Sequence, residues 1–346
     1  AESLGVPADL LLAMAWSGSS FVTSDEEHGE AAPRYGWLGM SAEQLARAQA
    51  LTGFSQELMI ADREASMVGG AVVLSRLRDE VAPDASELFL DSRWWDVVVA
   101  WSESGEDWLD AQYAFDVFAT LQRGLEVQDA DGHTVVIPPR VIPGLQDLTF
   151  PGPPSEDSEE RDTTGNGYPG RAQYIPAHHS NFSSRSGGTG AIDSIVIHTV
   201  EGSYSGAISW FRNASSNVSA HYVVRRSDGE VTQMVYDEGR AWHATNYNNR
   251  SIGIEHEGHA ANASTWTDAQ LEGSARLSAW LSNAYDIPVD RSHFVGHSEV
   301  PSSYKSDPGS HFPWDRYLEL VLCFKNPGSC SAADSDYPTC GDPAPT

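Results

Sequence analysis

Ile192-Asp-Ser-Ile-Val-Ile-His198 is the stretch on which the fold turns. Ile195, Val196 and Ile197 follow one another without polar alternation, which describes a strand buried on both faces, as in sheets covered by helices. The run ends on an imidazole. Downstream, strand and helix patterns alternate. Ser205 to Asn213 suits a short helix. Tyr222-Val-Val-Arg-Arg and Glu230-Val-Thr-Gln-Met-Val flank Ser227-Asp-Gly229, a hairpin signal because glycine accepts positive φ. Ser251-Ile-Gly-Ile-Glu255 reads as another strand. Thr267-Asp-Ala-Gln270 is a capping box opening a helix to about Tyr285, His293-Phe-Val-Gly-His297 is a short strand, and Trp314 to Phe324 is a final amphipathic helix. Mixed strands with flanking helices predict an α/β domain over 171–325.

Upstream, the composition changes. Pro151 to Gly167 lacks the apolar residues of a core and concentrates charge, Pro and Gly, the mark of an exposed linker. Residues 126–150 read as short extended pieces, with Thr134-Val-Val-Ile137 before two prolines, and 126–170 together separate two domains. Residues 1–125 read as helices: Leu4, Leu10, Leu11, Met14 and Ala15 recur at helical spacing, as do Val68, Val72, Val73 and Leu77, and Trp94 to Trp101 form a third apolar segment. A tail over 326–346 holds two of the three cysteines, Cys330 and Cys340; Cys323 precedes it. One disulfide, Cys330–Cys340 or Cys323–Cys330, is expected of an oxidising compartment, and no Cys-x-x-Cys pair points to a metal.

The 346 residues carry 49 acidic against 21 basic side chains, a net charge of −28. Such a surface repels phosphate backbones and anionic lipid heads, so nucleic acid and membrane surfaces are poor candidates as partners. No apolar run is long enough to span a bilayer. The chain opens on what reads as a helix, so the expectation is an extracytoplasmic protein whose leader is absent from the chain.

Three zinc-type donors stand at element ends: His198, His297 after Phe294-Val-Gly, and Asp307 in Lys305-Ser-Asp-Pro-Gly. Two imidazoles and a carboxylate, with a fourth position left to water, are the open set of a catalytic zinc. Spacing alone does not bring them together. However, Ser219-Ala-His-Tyr-Val-Val-Arg-Arg-Ser-Asp-Gly-Glu-Val-Thr-Gln, Arg240-Ala-Trp-His-Ala, Ser251-Ile-Gly-Ile-Glu-His-Glu-Gly and Gly296-His-Ser-Glu-Val-Pro, followed by Lys305, Asp307-Pro-Gly, Phe312 and Trp314, occur in this order. Together they resemble the type 2 N-acetylmuramoyl-L-alanine amidases, the superfamily that includes the peptidoglycan recognition proteins. The resemblance covers about Ile192 to Trp314.

It implies zinc on His198, His297 and Asp307, a catalytic carboxylate at Glu255 and a catalytic lysine at Lys305. It also implies substrate contacts: Tyr222 near the metal, Trp242 and His243 lining the groove, and Asn249 and Arg250 binding the carboxylates of the stem peptide. His221, His256, His259, His293 and His311 are left as structural or exposed, and the sequons at Asn213 and Asn217 as chance. The expected activity is hydrolysis of the amide between N-acetylmuramic acid and L-alanine in peptidoglycan or muropeptides. The rivals are a recognition protein that grips without cutting, which the full set of five residues disfavours, and a glycan-cleaving enzyme.

That last rival comes from the N-terminal region. Leu4 to Phe21 resembles the opening helix of lytic transglycosylase and goose-type lysozyme-like domains, Tyr35-Gly-Trp-Leu-Gly-Met echoes a later glycine-containing segment, and Met67-Val-Gly-Gly-Ala-Val-Val-Leu a following helix. The family's catalytic acid falls on Gly18, which leaves no proton donor for glycan cleavage, although Glu26 and Glu27 lie nearby in sequence. The expectation is a degenerate lysozyme-like module that holds glycan, or a helical spacer.

Overall fold

The structure, a computed structural model, describes residues 4–21, 34–85, 90–104, 107–129, 131–145, 148, 167–301 and 303–326. The chain divides into two compact units, residues 1–158 with 201–209, and residues 159–200 with 210–346.

The first unit is helical: α1 (Ala8–Ser19), α2 (Ala42–Thr52), α3 (Gln56–Ala61), α4 (Arg63–Val81), α5 (Trp94–Ser102) and α6 (Asp107–Arg123), followed by the hairpin β1 (Leu125–Gln128) and β2 (Thr134–Ile137). Helix starts follow local chemistry. Ser41 accepts from Gln44 N and the Gln44 side chain returns to Ser41 N, a complete capping box for α2, and Asp62 accepts from Ala65 N to open α4. α1 has nine of its twelve residues buried, as a helix with apolar residues all round must. Leu10, Met14, Leu38, Trp94, Trp101 and Phe118 are among the fully buried side chains of one core, which also takes in Ile137, Ile142 and Leu145. The extended segment after residue 125 therefore belongs with the helices rather than with the linker. The linker, residues 151–166, lies outside the described residues.

The second unit is built on a six-stranded sheet with the order β10-β5-β9-β6-β7-β3. Its strands are β3 (Gln173–Tyr174), β5 (Ser194–Thr199), β6 (Tyr222–Val224), β7 (Val231–Gln233), β9 (Ser251–His256) and β10 (Phe294–Gly296). The four strands β10, β5, β9 and β6 run parallel, and β7 turns back antiparallel to β6 through Gly229 at φ +74°. A separate ribbon pairs β4 (Phe182–Ser184) with β8 (Gly239–Ala241). α7 (Tyr204–Arg212) is divided between the two units, and α8 (Asp268–Ala284) and α9 (Trp314–Lys325) are the helices of the second. Thr267 caps α8 by accepting from Gln270 N. Cys323 on α9 is disulfide-bonded, while Cys330 and Cys340 lie outside the described residues.

Strand alternation sorts the two faces of this sheet. Ile195 and Ile197 of β5, Ile252 and Ile254 of β9, Tyr222 and Val224 of β6 and Phe294 of β10 share one core with Leu271, Ala275 and Leu281 of α8 and Tyr317 and Val321 of α9. Each such side chain contributes about 1.5–3 kcal/mol by leaving water, which makes the helix-covered face the anchor of the unit. By the same alternation Val196, His198, Gly253, Glu255, Val223 and Val295 point the other way. On that side Val196, Ala244, Val295 and Val300 form one apolar cluster, and His198 and Glu255 carry polar chemistry.

Candidate metal centre

The parallel register of β5 and β9 sets His198 opposite Glu255, so imidazole and carboxylate project from one face. β10 ends at Gly296, in register with Ile197, and the next residue, His297, begins a short 3-10 turn beside His198. Gly296 is needed there: a Cβ would lie 2.6 Å from Pro308 Cδ, so the 303–309 loop folds directly onto the strand end. That fold, held by Ser298 N donating to Asp307 O at 2.9 Å, carries Asp307 back to the two imidazoles.

One nitrogen or oxygen from each of His198, His297 and Asp307 lies within 4.8 Å of the others. His198 Nδ1 is 3.0 Å from His297 Nδ1 and 3.3 Å from Asp307 Oδ2, and His297 Nδ1 is 3.2 Å from Asp307 Oδ1. Four donors about 2.0–2.1 Å from a tetrahedral zinc stand about 3.3 Å apart, and these separations are of that size, with His198 and His297 each measured to a different oxygen of Asp307. All three residues are buried. Burial, and then the charge of His297, lower the His198 pKa to about 4. Burial alone would raise Asp307, but the two imidazoles beside it prevail and hold its carboxyl well below the usual range. Both groups are therefore unprotonated donors at neutral pH, the state a metal requires.

Glu255 is fully buried with Oε1 3.8 Å from His198 Nδ1, beside the donors rather than among them. Lys305 is partly buried, its amide donates to Ser303 Oγ at 3.1 Å, and its charge is one of those acting on His198. The structure thus brings His198, His297, Asp307 and Glu255 together, and Lys305 lies two residues before Asp307 in the loop that carries it.

The expected substrate contacts fare differently. Tyr222 points to the helix-covered face, has no exposed surface, and donates its hydroxyl to Asp237 Oδ1 at 2.8 Å. The expectation that it stands beside the candidate metal ligands is corrected by strand alternation, because its neighbour His221 takes the side of His198 and Glu255 and accepts from Gly253 N at 3.0 Å. Asn249 binds the main chain of Ser186 in both directions, at 2.8 and 3.0 Å, which makes it a loop tie. Arg250 pairs with Asp193 at 2.6 Å and lies over the Tyr247 ring, with about half its side chain in solvent. Trp242 is partly exposed and donates Nε1 to Ser183 Oγ at 3.4 Å. His243 is buried and contacts His198 instead of solvent: its Nδ1 is 2.9 Å from His198 Nε2.

Sequence reasoning missed Arg185, 5% exposed, whose guanidinium donates to the carbonyls of Asp237, Asn248, Asn249 and Ser251 and contacts His221 Nε2 at 2.8 Å. Its partners are main-chain oxygens, which leave no trace in a sequence. It also missed Ser251 and Gly253 around His243, although a glycine amid β-branched strand residues signals a close approach. In the helical unit Asp129, Asp131 and His133 also cluster. There the Asp129 carboxylate is engaged by Arg63 and by the amides of Asp131 and His133, as in a turn.

Residues 188–310 match the Amidase_2 family, described as N-acetylmuramoyl-L-alanine amidase. N-acetylmuramoyl-L-alanine amidase A of Achromobacter lyticus is 43% identical over 169 residues, which cover 44% of this chain and 94% of that enzyme. The 1,6-anhydro-N-acetylmuramyl-L-alanine amidase AmpD of Salmonella typhimurium is 40% identical over 116 residues, 31% of this chain and 59% of AmpD. The crystal structure of a Se-Met AmpD derivative is 28% identical with a TM-score of 0.38, covering 45% of this chain and 98% of that one.

Proposed function

This chain belongs to the N-acetylmuramoyl-L-alanine amidases, and on that footing we propose that it hydrolyses the amide between N-acetylmuramic acid and L-alanine in peptidoglycan or its fragments, outside the cytoplasm, with zinc held by His198, His297 and Asp307. Zinc at such a site supplies Lewis acidity that makes water nucleophilic near neutral pH. Glu255 takes the proton from the attacking water and passes it to the alanine nitrogen as the C–N bond breaks and the C–O bond forms. The products are the lactyl carboxylate of the muramic acid and the free amine of the stem peptide. Lys305 places an ammonium where negative charge develops on the amide oxygen. Trp242 and Arg250, both reaching solvent, are the contacts we assign to sugar and peptide.

The observation that carries this reading is the buried triangle of His198, His297 and Asp307 with Glu255 beside it. We read the helical unit as a lysozyme-like module that holds glycan without cutting it. What supports the loss of cutting is Gly18: a Cβ there would lie 2.9 Å from Leu38 O, so the backbone of residues 38–39 occupies the place of an acid side chain.

Digestion of purified cell wall, with products read by mass spectrometry, tests both parts. Free stem peptides, abolished by chelation and restored by zinc, are expected. New reducing or anhydro-sugar ends would mean glycan cleavage, and uncut wall retained on the protein would mean recognition alone. Either result overturns the proposal. Asp307→Ala should lower the affinity for zinc.

A further inference from the structure

On the metal-facing side of the sheet runs a chain of hydrogen bonds whose direction is set by its last member. The carbonyl oxygen of Tyr247 can only accept, and Ser251 Oγ lies 2.7 Å from it, so the Ser251 proton is committed there. Ser251 Oγ then accepts from the ring nitrogen that faces it, His243 Nε2 at 3.4 Å. With its proton on Nε2, His243 has a lone pair on Nδ1, and this accepts from His198 Nε2 at 2.9 Å. His198 is left with its proton on Nε2 and an unprotonated Nδ1, the nitrogen that faces His297 and Asp307.

A second observation shows that the fold makes room for this arrangement. Gly253 lies in β9 beneath the His243 ring, where a Cβ would fall 2.5 Å from Nδ1 and 2.6 Å from Cγ. Any other residue at 253 would displace the ring. The main chain of His243 is held as well, since His243 N and Ala244 N both donate to Asn248 Oδ1, at 3.0 and 2.6 Å.

We propose that His243 is a positioning residue of the metal centre: it holds His198 in the tautomer and ring orientation that present Nδ1 to the metal, with Ser251 ending the chain and Gly253 seating the ring. This replaces the substrate contact expected of His243, and it rests on the zinc ligands of the amidase reading. A partner on the outer nitrogen of a ligating histidine is worth about 10- to 100-fold in metal affinity or activity.

The test uses the full chain stripped of metal, with zinc dissociation constants from competition with a chromophoric chelator and steady-state kinetics at saturating zinc. His243→Leu should weaken zinc binding about 10- to 100-fold. His243→Asn, which keeps an acceptor oxygen near the place of Nδ1, should recover most of that loss. Gly253→Ala should reproduce the leucine effect with His243 itself intact. Zinc affinity unchanged in His243→Leu, with only KM raised, would overturn the proposal in favour of a substrate contact. An asparagine variant as weak as Gly253→Ala would overturn it too, and that comparison stands if the leucine variant does not fold. Wild-type protein binding zinc no better than His297→Ala would instead overturn the amidase reading.

Discussion

His256 gives the fold a dependence on pH whose size follows from its surroundings. It ends β9 on the helix-covered face beside Trp266 and Phe312, with Nδ1 donating to the carbonyl of His198 at 2.9 Å and Nε2 2.7 Å from Ser274 Oγ. Burial is the largest influence on its pKa and lowers it from 6.5 to about 4; the bond to the His198 carbonyl pulls the other way without reversing it. The unfolded chain accepts a proton that the folded chain refuses, so this contribution to stability is complete above pH 6.5 and is lost as pH falls towards 4. At pH 5 the unfolded imidazole is almost wholly protonated and the folded one about nine-tenths neutral, so lowering the pH from 7 to 5 removes about 2 kcal/mol. His256→Asn keeps an amide donor for the His198 carbonyl but cannot titrate. Its stability should therefore change by about 2 kcal/mol less than the wild type's over the same interval. Hydrogen exchange of β9 amides by mass spectrometry, in chelated full-length protein, reads this locally and is not blurred by unfolding of the helical unit. If the two proteins change equally with pH, within about 0.5 kcal/mol, the buried neutral imidazole is wrong.

Glu255→Gln at saturating zinc should lower kcat/KM about 10²- to 10⁴-fold while metal analysis finds the wild-type stoichiometry; turnover at the wild-type rate would remove Glu255 as the base. Tyr317→Phe deletes a buried hydroxyl that lies 2.7 Å from both Ser274 Oγ and Ser278 Oγ, and thermal unfolding should show a loss of about 1–3 kcal/mol. Gly18→Glu should release no new reducing ends from cell wall and should destabilise the helical unit, because its Cβ would meet Leu38 O at 2.9 Å. Recovery of glycan cleavage in this variant would mean that the helix lost its acid and kept the groove.

Most elements of the α/β unit were legible because period and caps were locally strong. The apolar run after Ile192 forms β5 (Ser194–Thr199), the strand expected over Ser251–Glu255 is β9, one residue longer because it includes His256, and the final helix runs from Trp314 to Lys325. Side-chain direction was less legible. Thr267 caps α8 as its position predicts, but the Gln270 amide, expected to return to the cap, donates to the carbonyls of Val224 and Glu257 at 3.3 and 2.9 Å. A tertiary acceptor outcompeted the local one, and no short-range pattern encodes that. The short extended pieces expected after residue 125 include the hairpin Leu125–Ile137, and only the helical core shows that it packs there, with Ile137 1% exposed.

The candidate metal centre illustrates what a motif can and cannot carry. Ile195-Val-Ile is apolar at every step, so β5 by itself gives no indication of which side His198 takes. The parity is written in the neighbouring strand, where Gly253 and Glu255 alternate with Ile252 and Ile254, and the parallel register transfers it to β5. The same parity sends Tyr222 away from the metal and His221 towards it, which a tyrosine placed by motif alone could not reveal. Gly253 then has two consequences at once. Lacking a side chain, it opens the sheet surface to the His243 ring, and its N–H donates to His221 Nδ1 at 3.0 Å. The weakest residue of β9 for strand formation is thus the one that gives the His243 ring its place beside His198, which is the contact the proposed positioning role requires.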